Sequence, residues 1–153
     1  MKFVKKNNYL LRSIVVFVGF LFLLFPMGKY AAYGETLFEF DGLELIFGYK
    51  NGNNVILGFN VINFIMFLLI LAGIIVPTLS IKYKKYALIC ETIGDFIASI
   101  LYILMPLFIA HRSYNIKELF EIYPTIYIGG ALILVAVLLC AYEFIQLKEN
   151  KNE

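Results

Sequence analysis

Hydrophobic and polar positions divide the chain into four long apolar runs, roughly 10–27, 55–76, 87–108 and 124–144, separated by polar or Gly- and Asn-rich segments. Each run approaches the ~20 mostly apolar residues that a helix needs to cross a bilayer. Pro77 predicts the end of the second helix, because proline lacks an N–H and clashes with the preceding turn. Pro124 suits the first turn of the fourth helix, and Pro106 falls in the last turn of the third, where a kink costs little. The pattern predicts an all-α membrane protein: one integral domain over residues 1–153, built as a four-transmembrane-helix bundle. A small extracytoplasmic β-hairpin or sheet is expected in the first loop.

That loop, residues 28–54, breaks the apolar rhythm. Phe38 and Phe40 alternate with Glu39 and Asp41, and Leu43 and Leu45 flank Glu44. Asp41-Gly42 between alternating runs reads as a type I′ hairpin turn, which needs positive φ at both central residues. Asn51-Gly52-Asn53 gives a second turn signal. Strands are predicted near 36–40 and 43–49, with a third near 54–57. An isolated hairpin is marginal in water, so its apolar face is expected to rest on the helix ends. Glu35, Glu39, Asp41 and Glu44 then face outward. They form either an ordinary solvated strand face or a recognition surface for a basic partner. No calcium-loop spacing is present.

Composition sharpens the class. Hydrophobic residues make up 61% of the 153 positions, against about 45–50% in soluble domains. A soluble core of this size could not bury so much apolar surface. The net charge of +2 matters less than its distribution. Nine cations (Lys2, Lys5, Lys6, Arg12, Lys82, Lys84, Lys85, Lys148, Lys151) flank one side of the runs and four (Lys29, Lys50, Arg112, Lys117) the other. This bias predicts a cell-membrane protein with both termini cytoplasmic and the first loop outside. Tyr30, Tyr33, Tyr49, Tyr114, Tyr123 and Tyr127 would line the outer interface, and Tyr9, Tyr83, Tyr86 and Tyr142 the inner one. The absence of Trp and the wealth of Ile, Phe, Tyr, Lys and Asn suggest an AT-rich, bacterial source. A second reading makes the first run a signal peptide cleaved after Gly34, with Ala32 and Gly34 as the small-residue pair; it leaves three spans.

Charged groups inside a span are functional candidates by default. Glu91 and Asp95 lie four residues apart in the third run, and Ser99 and Tyr102 continue their stripe. Glu91 is near the cytoplasmic end, within reach of Lys84, Lys85 or Lys148. Asp95 lies about 12 Å into the span, where no basic residue is expected. It should be uncharged, or hydrogen-bonded to polar partners. Asn60 and Asn63 in the second run, with Ser99, complete a polar seam between the second and third helices. Gly94 and Ala98 would let another helix approach, and Gly129-Gly130 marks tight packing in the fourth. The seam either glues the bundle or makes Asp95 a proton or cation site on a path lined by Glu91, Asn63 and Asn60. A full transporter would show internal repeats or broken helices, and none is evident.

Other chemistry is not signalled. Cys90 and Cys140 lie in apolar runs on the reducing side, which favours packing over a disulfide. The single histidine, His111, sits beside Arg112 at the outer end of the third run. No catalytic triad, phosphate loop, zinc motif or nucleic-acid surface appears. The expectation is a non-enzymatic protein with no cofactor or metal. Its partners would be the lipid bilayer and a membrane protein or a second copy of itself. The layout of one helix, a long outer loop with strands and three further helices resembles the claudin-like tetraspan proteins. This chain lacks Trp and loop Cys, so the claudin motif is missing. The stretch GLELIFGYKNGNNVILGFNVINFI (42–65) is similar to that of small four-helix membrane proteins of low-GC bacteria and mollicutes, which implies the bundle and no activity. The sequence thus predicts an accessory or interaction module presenting an outer hairpin. The alternative is a small channel or proton/cation-coupled transporter subunit that uses Asp95.

Overall fold

A computed structural model describes residues 8–79, 84–110 and 119–149; the fold is mostly helical with a small antiparallel sheet. Helix α1 spans Asn8–Leu21 and is prolonged by a 3-10 turn over Phe22–Leu24. Then come β1 (Pro26–Ala32), β2 (Glu35–Asp41), the short α2 (Gly42–Phe47), β3 (Tyr49–Asn51) and β4 (Asn54–Leu57). Helices α3 (Val61–Leu79) and α4 (Lys84–Ile103) follow, then a 3-10 turn over Met105–Phe108, β5 (Phe120–Ile122) and α5 (Thr125–Glu149).

The four long helices pack in a ring in which α1 contacts α3 and α5, and α4 contacts α3 and α5. Apolar side chains occupy both the interior, with Val16, Met66, Ile70 and Ile133 fully buried, and the outer surface. Ile14 and Phe17 of α1, Ile65 and Leu68 of α3, Ile93 and Phe96 of α4, and Leu138 and Ile145 of α5 are exposed. Arg12, Asn63, Glu91, Asp95, Ser99 and Glu143 are buried. Two helical segments, Tyr86–Ile103 and Thr125–Gln146, are long and apolar enough to cross a membrane. Asn8–Leu24 and Val61–Pro77 are apolar and shorter.

Element ends differ from the sequence reading for local reasons. The first apolar run does not stay helical to Met27. Phe25, forced toward extended backbone by the following proline, sits at φ −97°, ψ 157°, and Pro26 opens β1. The second run begins as strand β4, and α3 starts only at Val61, where the Asn60 side chain accepts the Asn63 N–H at 3.0 Å. Pro77 does not stop α3, which continues to Leu79; near the end of a helix the missing N–H costs one bond only.

The predicted hairpin at Asp41-Gly42 is not there. Asp41 is instead the N-cap of α2: its carboxylate accepts the Glu44 N–H at 2.8 Å, and the Glu44 side chain accepts the Asp41 N–H at 3.1 Å. Residues predicted as the strand 43–49 are therefore mostly helical. The hairpin turn lies eight residues earlier in the chain, at Tyr33-Gly34, where φ is 53° and 83° and both central residues have the positive φ of a type I′ turn. The second turn stands as expected: Gly52-Asn53 joins β3 to β4.

The sheet order is β2-β1-β5, all antiparallel. Because β5 pairs with β1 through Gly28↔Ile122 and Tyr30↔Phe120, the segments after α1 and before α5 share one end of the bundle. Phe120 occupies the space where a side chain on Gly28 would stand. Beneath the sheet, Tyr30 meets Phe40 and Phe120 edge-on at 5.3 and 5.2 Å. Tyr30 is fully buried, so it is a core residue rather than part of an interfacial girdle. Burial pushes its phenol up to about 12. Tyr9, Tyr86 and Tyr142 are exposed. Lys2, Lys5, Lys6, Lys82, Tyr83, His111, Arg112, Tyr114, Lys117 and Lys151 lie outside the described residues.

Candidate charge site inside the bundle

The sequence reading placed Arg12 with the cations that set orientation. It lies instead in the bundle interior, 3% exposed. From α1 its guanidinium reaches the diagonally placed α4. Nε donates to Glu91 Oε1 at 2.7 Å and Nη2 to Glu91 Oε2 at 3.0 Å. Nη1 donates to Glu143 on α5, which also accepts the Asn8 amide at 3.1 Å. One planar fork thus ties three helices together. Glu91, expected to reach Lys84, Lys85 or Lys148, is paired with Arg12. Cys140 on α5 adds a weak S–H donor to Glu91 Oε1 at 3.4 Å. Neither Arg12 nor Glu143 was singled out as a site residue. The signal for Arg12 was a cation between Leu10-Leu11 and Ile14-Val15, a setting that excludes water.

Asp95 stands one turn deeper along α4, about 16 Å from the helix start at 1.5 Å per residue. It is 1% exposed, and among the described residues neither carboxylate oxygen has a hydrogen-bond partner. Its carboxylate presses against Gly73 of α3, where a Cβ would collide with Oδ1. Beside it runs a cleft of about 150 Å³ between α3 and α4, lined by Leu69, Ala72, Gly73, Val76, Cys90, Glu91, Gly94 and Asp95. Cys90 is exposed at its rim, whereas Cys140 is buried. One oxygen each of Glu91 and Asp95 and the Cys140 sulfur lie within 4.8 Å of one another. Both Glu91 oxygens are already taken by Arg12, so the cluster is an ion-pair network with one carboxyl left over.

The predicted seam is not continuous. Asn60 caps α3, and Asn63 donates to the Leu45 carbonyl of α2 at 3.5 Å, so both belong to the sheet end. Asn63 is ten residues, about 15 Å, from the Gly73 that faces Asp95. Ser99 turns to α5, donating to the Gly130 carbonyl at 2.9 Å. Gly94 faces open space rather than another helix. The close approach comes from Gly129 and Gly130, as expected: a side chain on the first would overlap Tyr102, and one on the second Ile103.

The outer acids are partly committed. Asp41 and Glu44 form the α2 cap, and burial raises the Glu44 carboxyl above its ordinary value. Glu35 and Glu39 are exposed. Tyr123 hydrogen-bonds to Glu39, which holds its phenol above the usual range. Lys29 pairs with Glu121 at 3.2 Å, which raises the ammonium.

No protein-family model, curated protein or solved structure matches the chain. What the site can do follows from its own chemistry: a buried fork that locks three helices, and an unpaired carboxyl beside an open cleft.

Proposed function

We propose that the chain is a non-enzymatic multi-pass membrane protein with all four long helices crossing the bilayer. Its termini are cytoplasmic and its sheet lies outside, acting as an accessory or interaction module. The observation that carries this reading is the apolar outer surface of the bundle: every long helix exposes large apolar side chains, and among the described residues Arg12, Glu91, Asp95 and Glu143 are buried. The two shorter stretches have 17 residues each, about 25 Å of helix at 1.5 Å per residue. A thinned bilayer accommodates that length at a modest cost. Leu37, Phe47, Val55 and Phe59 leave apolar surface around the cap, suited to the interfacial region or to a membrane partner, including a second copy. The test is labelling of Glu35→Cys, in a chain with Cys90 and Cys140 replaced, by an impermeant maleimide. Reaction in intact cells is expected; reaction only after lysis overturns the topology. Crosslinking from Leu37 should capture a membrane protein or a second copy, and an uncrosslinked monomer under all conditions overturns the module reading.

Asp95 favours a second reading, a channel or proton/cation-coupled transporter subunit. A carboxyl of 1% exposure with no hydrogen-bond partner does nothing to hold the helices together.

A further inference from the structure

We propose that the α3–α4 cleft is a proton-exchange site reached sideways from the bilayer, with Asp95 as the group that carries the proton. The proposal deepens the second reading above and rests on the helices lying in lipid.

Three observations combine. First, the groups facing Asp95 are unevenly committed. Arg12 from α1 is hydrogen-bonded to Glu91 of α4 and to Glu143 of α5, and the Cys140 thiol points to Glu91. From α3, the cleft wall of Leu69, Ala72, Gly73 and Val76 offers no titratable group. One guanidinium faces three carboxyls. In a lipid-surrounded interior a buried carboxyl that receives no donor among the described residues holds its proton. Arg12 satisfies Glu91 and Glu143, and Asp95 receives no donor.

Second, the cleft gives Asp95 a route outward. Its floor is buried at Gly73, Glu91 and Asp95, while Ala72 and Cys90 at the rim are exposed. Third, two glycines shape that route. Gly73 leaves the space the carboxylate fills, and Gly94 has nothing within 4 Å of where its Cβ would be. An alanine at position 73 would collide with Asp95, whereas a large side chain at 94 would fill the opening without meeting the packed interior. The step is a simple ionisation. The carboxyl O–H breaks as its proton passes to a water molecule admitted along the cleft, which carries it out as hydronium, and the carboxylate remains; the reverse transfer restores the acid.

Dicyclohexylcarbodiimide is an apolar reagent that adds to a protonated carboxyl, and it serves as the probe. The full chain in detergent is treated with it and the adduct located by mass spectrometry. A single adduct on Asp95 is expected, declining as pH rises and absent in Asp95→Asn. Gly94→Leu should reduce labelling to the Asp95→Asn background while elution volume and helicity stay unchanged. If Gly94→Leu does not fold, alkylation of Cys90 by a bulky maleimide should produce the same block in the native sequence. A water-soluble carbodiimide should label poorly. The proposal is overturned by adducts on Glu91 or Glu143 instead of Asp95, by unchanged labelling with the cleft blocked, or by equal labelling with the water-soluble reagent. Failure of the four-span topology is separable: Asp95 would still label in detergent, while Glu35→Cys would not react from outside.

Discussion

Replacing Arg12 by methionine keeps the length of the side chain and removes the fork. Three charge-assisted bonds then disappear, two to Glu91 and one to Glu143. The Arg12 and Glu91 side chains are 4% and 0% exposed, so solvent does not screen the pair. Breaking a buried ion pair by removing one partner costs about 3–5 kcal/mol, because a buried charge is left uncompensated. If the four helices lie in a membrane, as proposed, that figure is lower. Their unfolded reference state finds other partners, and interhelical hydrogen bonds there average only ~0.6 kcal/mol. The expected loss is therefore near the lower bound, about 3 kcal/mol, or roughly a hundredfold in the folded-to-unfolded ratio.

The assay is unfolding in mixed micelles of increasing denaturing-detergent fraction, followed by helicity, with Ile14→Ala on the exposed face as control. Arg12→Lys should recover only part of the loss, since a point charge cannot bridge both Glu91 oxygens and Glu143 together. The triple variant Arg12→Met/Glu91→Gln/Glu143→Gln should recover most of it, because removing a whole buried ionic cluster is often neutral or stabilising. Two outcomes would refute the reasoning. One is Arg12→Met within about 0.5 kcal/mol of the parent, the range of an ordinary surface change. The other is a triple variant less stable than the single one.

Further outcomes follow from the same packing. Gly73→Ala should destabilise the bundle by about 1–3 kcal/mol through overlap with the Asp95 carboxylate, with Val16 Cγ1 3.3 Å away on the other side. The same unfolding assay should show that loss reduced in Gly73→Ala/Asp95→Ala. Asp41→Ala should cost about 1 kcal/mol by uncapping α2. Amide exchange should rise in α2 and leave the β1–β2 pairs protected, which a hairpin turn at that site would not. Tyr30 gives a pH dependence. Its phenol ionises at about 12 in the fold against 10.0 when free, so the folded state holds the proton more tightly. That stability is complete below pH 10 and falls as pH rises toward 12. A denaturation series across this range should show the decline, and Tyr30→Phe should flatten it.

The features legible in the sequence are those set by local composition. Long apolar runs announced the four helices, and the alternation of Phe38 and Phe40 with Glu39 announced β2. Asp41-Gly42 misled because Asp before Gly serves two geometries. The residue that decides between them is Glu44, which completes an Asp-x-x-Glu capping box, and that spacing was present in the chain. Tyr33-Gly34 carried little warning, since only Gly34 is at ease with positive φ. Arg12 was misassigned for a different reason. Its partners lie 79 and 131 residues away, and its apolar neighbours signal exclusion from water without showing which side chains it meets. Asp95 was legible as a buried carboxyl, because its place in an apolar run is itself local. Its isolation from Asn60 and Asn63 depended on where α3 begins, which the apolar pattern placed some six residues too early.

The polar bonds that cross between helices are distributed unevenly, and the distribution bears on how a site at Asp95 would be reached. Arg12 and Tyr102 join α1, α4 and α5: the first through Glu91 and Glu143, the second by its hydroxyl donating to the Gly19 carbonyl at 3.3 Å. Ser99 adds another bond between α4 and α5. The sheet reinforces the same group from the other end, pairing the strand after α1 with the strand before α5. Helix α3 stands apart from this network. One of its bonds to a long helix is Ser13 to the Ile74 carbonyl at 3.1 Å, and its start is held by the Asn60 N–H on the Ile46 carbonyl of α2. Its contact with α4 around Asp95 is apolar packing against a glycine. Among the described residues, parting α3 from α4 beside the cleft breaks fewer polar bonds than parting any pair drawn from α1, α4 and α5. A carboxyl placed on the α1–α4–α5 unit, facing the loosely bonded α3, is therefore where a modest sideways motion of one helix changes exposure most. A bis-methanethiosulfonate linker joining cysteines introduced at Ala72 and Gly94, in a background lacking Cys90 and Cys140, should span the open space at Gly94, hold that seam closed and suppress carbodiimide labelling of Asp95. Restoration of labelling by a reductant would attribute the loss to the closed seam, and labelling undiminished by the crosslink would show that the route lies elsewhere.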